Sequence, residues 1–110
     1  MKLLVINYAG DVEANVRFYQ ALGLDLEQEV DLVWTETKAS GGVLAIHGKE
    51  AANYPKQGFE VCMVAESPLE EVQAKLVAAG FDGGTIQEED FGRSLRVVDP
   101  EGNELQINDR

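Results

Sequence analysis

Apolar positions along the chain change period twice over. Leu3 to Tyr8 is a short apolar run rich in β-forming residues, and Asp11, after Gly10, is placed to cap a helix beginning at Val12. Across Val12 to Leu22 the apolar positions Val12, Val16, Tyr19 and Leu22 recur at three- and four-residue spacing, which predicts a helix with one buried face. Gly23 ends it as a left-handed cap. Leu24 to Val30, Leu32 to Lys38 and Val43 to His47 then read as three strands, separated by the acidic Glu29-Val30-Asp31 corner and by Ser40-Gly41-Gly42. Gly48 to Gly58, with Asn53, Tyr54 and Pro55, has neither period and reads as a loop.

The same order returns. Phe59 to Val64 is an apolar strand, and Ser67-Pro68-Leu69-Glu70 carries a helix-start signature of cap, proline and a glutamate able to bond back. Leu69, Val72, Leu76 and Ala79 form the helix stripe, and Ala79-Gly80-Phe81 answers Leu22-Gly23-Leu24. Strands are predicted around Thr85 to Glu88, at Ser94 to Val98, and at Asn103 to Asn108 after the Asp99-Pro100-Glu101-Gly102 turn. The pattern is an α+β chain of two tandem β-α-β-β-β modules, about 1–56 and about 57–110, read as one duplicated domain. An unrelated α+β domain with the same element order is the alternative.

Charge narrows the partners. Nine Lys and Arg against twenty Asp and Glu give a formal net charge of −11, a field that repels nucleic acid and anionic membranes and favours cationic small molecules, while also serving plain solubility. Cys62 is the only cysteine and lies inside an apolar run, which reads as a buried hydrophobe rather than a nucleophile. The apolar start Leu3-Leu4-Val5-Ile6 is too short for a signal-peptide core, and nothing is long enough to span a membrane. A cytoplasmic protein is expected.

Phe18-Tyr19-Gln20-Ala21-Leu22-Gly23-Leu24, followed far downstream by Asp99-Pro100-Glu101-Gly102-Asn103, resembles the glyoxalase / bleomycin-resistance / extradiol-dioxygenase superfamily, the vicinal oxygen chelate proteins. With the duplicated element order, the resemblance covers essentially the whole chain. It implies a curled mixed sheet enclosing a cleft, often completed by a second subunit, so a homodimer is expected. In metal-dependent relatives each module supplies His, Glu or Gln ligands from its first and last strands. Counting from Asp11 and Pro100, the corresponding positions here read Leu4, Ile46, Phe59 and Gln106. A divalent ion needs oxygen or nitrogen donors in place of its hydration shell, and only Gln106 offers one.

The expectation is therefore a metal-free binding protein without cofactor or catalytic residue, holding a flat aromatic or cationic ligand and conferring antibiotic resistance by sequestration. The alternative is a lyase, isomerase or dioxygenase of the same superfamily, using a metal held unconventionally or acid–base chemistry by His47, Glu36 or Glu104. A third reading is an interaction module whose cleft is filled by Leu4, Ile46, Phe59 and Met63. With Leu4 and Phe59 inward, strand alternation puts Ile6, Tyr8, Val61 and Met63 on the cleft face, joined by Gln106. His47, one residue from Ile46, turns from the cleft in this register and joins the candidate ligand contacts if a bulge or a one-residue shift turns it inward. Trp34 is the leading candidate for ligand contact, with core packing as its plainer reading. Tyr54 and the Phe91-Gly92-Arg93 segment are candidates for the mouth of the cleft or the subunit contact.

Overall fold

The computed structural model describes residues 1–52 and 58–110. The order is β1 (Lys2–Ala9), α1 (Val12–Ala21), β2 (Asp25–Leu26), β3 (Trp34–Ala39), β4 (Gly42–Gly48), a short 3-10 turn (Lys49–Ala51), β5 (Gly58–Val64), α2 (Leu69–Ala78), β6 (Thr85–Glu89), β7 (Gly92–Val98) and β8 (Glu104–Asn108). The chain divides into two compact units. The first is Leu3–Glu60, and the second is Val61–Arg110 together with Met1–Lys2.

In the first unit the strands lie in the order β2-β3-β4-β1. β1 runs parallel to β4, with Ile6 opposite Ala45 and Tyr8 opposite His47. β3 runs antiparallel to β4, with Trp34 opposite His47 and Glu36 opposite Ala45. Helix α1 starts where the sequence predicts, because the Asp11 carboxylate accepts the Ala14 N–H at 3.0 Å and satisfies an amide the helix leaves open. Its buried face is Val12 and Val16, which pack with Ala9 and Ile46, and Tyr19 and Leu26 close over the cluster. Leu22, assigned to that stripe from spacing, is 63% exposed instead.

The second unit repeats this plan in the order β5-β8-β7-β6. β5 is parallel to β8 with Cys62 opposite Gln106, and β7 is antiparallel to β8 with Arg96 opposite Gln106. Leu69, Leu95, Val97 and Ile107 form its core, with Met63, Val72 and Leu76 packed against them. Cys62 is fully buried, as expected.

Two local expectations need correction. The predicted strand Leu24 to Val30 shrinks to Asp25–Leu26, because the acidic stretch after it turns instead. The Asp31 carboxylate takes the amides of Val33 and Trp34, and its backbone exchanges bonds with the Thr35 hydroxyl at 2.8 and 2.7 Å. At α2 the predicted capping box does not form. Pro68 is the residue before the helix and no side chain caps it. Its carbonyl accepts from Glu71 and Val72, while the Glu70 carboxylate pairs with Arg93. The proline's fixed φ starts the turn without help from Ser67.

The Asp99 turn is built as the sequence implies. The Asp99 carboxylate accepts the amides of Glu101 and Asn103 at 3.0 and 2.8 Å and the Asn103 side-chain N–H at 3.0 Å. These bonds, the Asn103 side chain first, hold the Asp99 carboxyl below the usual carboxylate range. Among the described residues no helix is long and apolar enough to cross a membrane.

Candidate functional site

Side chains alternate across a strand, so the residues packed under each helix define which ones lie on the other face. In the first unit Ile46, fully buried, belongs to the α1 side, and Asn7 donates to Asn15 of α1 at 3.1 Å. His47 and Tyr8 must then face the opposite way. Ile46 takes the core position under α1, and Ala45 and His47 share the other face with Leu4, Ile6 and Tyr8.

That face gathers rings. Tyr8 and His47 stack with centroids 5.5 Å apart and 24° between planes, and Trp34 meets His47 edge-on at 5.6 Å and 81°. Each of the two larger rings donates to a carboxylate. Trp34 Nε1 donates to Glu36 Oε2 at 3.0 Å, and the Tyr8 hydroxyl donates to Glu60 Oε1 at 2.9 Å. His47 Nδ1 lies 3.1 Å from the Gly48 carbonyl oxygen. A carbonyl only accepts, so that nitrogen carries the proton and Nε2 is left as an acceptor. Trp34, Glu36, His47 and Glu60 are half-buried and Tyr8 is buried. Glu36 and Glu60, which no motif in the sequence marks as a pair, are brought to this face by the alternation of β3 and β5.

The same alternation corrects β5. Met63 packs in the α2-side core, so Phe59 and Val61 share its side of the strand, and Glu60 and Cys62 take the other. Phe59 is 61% exposed. The expected ligand-face set of Phe59, Val61 and Met63 is therefore displaced by one residue along β5. Tyr54 lies outside the described residues.

In the second unit Gln106 does face away from the helix, where its amide donates to Asn108 Oδ1 at 2.6 Å. The face is polar. The Ser94 hydroxyl donates to Glu89 Oε1 at 2.7 Å, and Arg96 approaches the same carboxylate at 3.6 Å. A cavity of about 370 Å³ opens at its far strands, lined by Asp82, Thr85, Gln87, Arg96, Val98 and Glu104 among others.

A metal of the kind used by chelating relatives does not fit these residues. Leu4 offers carbon, Ile46 is sealed under α1, and Phe59 is on the wrong side of its strand. Among the described residues no three His, Cys, Asp or Glu side chains are grouped to hold an ion.

Two β-α-β-β-β units, each with one helix across a four-stranded mixed sheet, define an α+β fold built on an internal repeat. The chain belongs to the Glyoxalase/Bleomycin resistance protein/Dioxygenase superfamily, whose family model matches residues 4–107. Among solved structures, one described as NAD-dependent benzaldehyde dehydrogenase from Legionella pneumophila aligns over 96% of each chain at 21% identity, with a TM-score of 0.66. A glyoxalase/bleomycin resistance protein/dioxygenase superfamily member from Vibrio splendidus 12B01 aligns over 96% of this chain and 95% of its own at 15% identity, with a TM-score of 0.59. At these identities the likeness shows the fold. No curated protein matches.

Proposed function

We propose that the protein binds a small, flat, cationic molecule on the Tyr8–Trp34–His47 face of its first unit and releases it unchanged. One observation carries this: three aromatic rings share that face with two carboxylates, each bonded to one of the rings. Ring faces attract a cation through their quadrupoles, and Glu36 and Glu60 supply the opposite charge. The Glu36 and Glu60 bonds fix the indole and phenol before any ligand arrives, which lowers the ordering cost of binding. The net charge of −11 raises the local concentration of a cation. A planar cationic antibiotic fits this description, and its sequestration would protect a cell without chemistry. The reading includes a metal-free protein, because three of the four donor positions, Leu4, Ile46 and Phe59, carry only carbon side chains, and a homodimer in the cytoplasm.

Trp34 is the only tryptophan, so its fluorescence reports on the site. A planar cation should quench it saturably, and the compound recovered after denaturation should have its original mass. Chemically altered compound, or no saturable quenching by any planar cation, overturns the reading. Light scattering on the same sample checks the dimer.

A further inference from the structure

The acceptors left open around Trp34 narrow the ligand further, on the assumption that the cation-binding reading holds. His47 Nδ1 is committed to the Gly48 carbonyl, so Nε2 is left with a lone pair on a ring that packs against Trp34. Glu36 uses Oε2 for the Trp34 indole, and its Oε1 takes no hydrogen bond among the described residues. Glu36 lies opposite Ala45, the residue two before His47 on the same face of β4. The two acceptors are therefore diagonal neighbours across β3 and β4, within reach of one small planar group. Neither can be satisfied by a cation that lacks N–H bonds.

From this geometry we infer that the site selects planar cations bearing N–H donors, amidinium-like or protonated heteroaromatic amines, over quaternary ammonium ions, with His47 Nε2 and Glu36 Oε1 as the receiving atoms. A quaternary cation would take the ring faces but leave both acceptors without a donor and displace their water.

The test titrates the full chain with three probes of one size, benzamidinium, phenyltrimethylammonium and neutral benzamide, following Trp34 fluorescence and heat. At about pH 8 benzamidinium should bind roughly tenfold or more tighter than phenyltrimethylammonium, with benzamide the weakest. His47→Gln, whose amide oxygen still accepts, should keep the preference for benzamidinium over phenyltrimethylammonium, whereas His47→Phe should erase it. Equal affinities for the two cations, or a preference that survives in His47→Phe, overturn this inference while leaving the cation site standing. Failure of all three probes to bind overturns both.

Discussion

Ile46 and His47 are consecutive on β4 and lie on opposite faces of the sheet, Ile46 fully buried beneath α1 and His47 stacked on Tyr8. Stability and binding should separate at this step. Ile46→Ala should cost about 2–5 kcal/mol by chemical denaturation, since it opens a cavity between the helix and the sheet. His47→Ala should change stability by within about 1 kcal/mol and impair ligand binding.

Glu36→Gln keeps the shape of the Trp34 contact and removes one charge. Affinity for a planar cation should drop by roughly tenfold, because a charge-assisted hydrogen bond becomes a neutral one, while affinity for a neutral aromatic compound should stay the same. Calorimetric titration of both compounds against both proteins checks this.

Acid should act partly through Asp99. Its carboxyl is held below the usual range by bonds to Asn103 and Glu101, so the stabilisation it supplies is present above the unfolded carboxylate's pKa and is lost as pH falls through the lower folded value. Glu70, lowered by its hydrogen bond to Arg93, adds in the same direction. Asp99→Asn should flatten the decline in melting temperature between about pH 5 and pH 2. The Glu70 contribution should also fade at high salt, because the pair is exposed.

Glycines at two turns should respond unequally. Gly23 and Gly84 both have left-handed backbones, with φ of 108° and 74°. A Cβ at Gly23 would meet open space, whereas one at Gly84 would strike the Arg96 carbonyl oxygen and the Val97 side chain. Gly23→Ala should therefore cost about 1 kcal/mol, and Gly84→Ala about 3 kcal/mol, as strain and overlap add. Thermal melts of the two variants decide it.

The α1 cap, the glycine helix ends, the Asp99 turn and the element order were legible in the sequence because they depend on neighbours, whereas the capping box read at Ser67-Pro68-Leu69-Glu70 does not form. Asp11, Gly23, Gly80 and the Asp99 turn follow from local hydrogen bonding and backbone sterics, and the two modules follow from the order in which these recur. Faces were harder. Met63 and Val61 are as apolar as Cys62 and Val64, so the β5 run carries no alternation to say which side meets α2. The contact of Met63 with the Leu69 cluster settles it. Likewise Ile46 and His47 exchange roles with a shift of one residue. The Tyr8–Glu60 bond joins residues 52 positions apart, and no local pattern specifies such a pair.

Cys62 is the only thiol in the chain and is fully enclosed. A small thiol reagent can reach it only when its strand opens, so under native conditions the labelling rate counts excursions from the folded state. A ligand that clasps only the closed form should slow that clock in proportion to its occupancy, giving a readout of binding that needs neither colour nor catalysis.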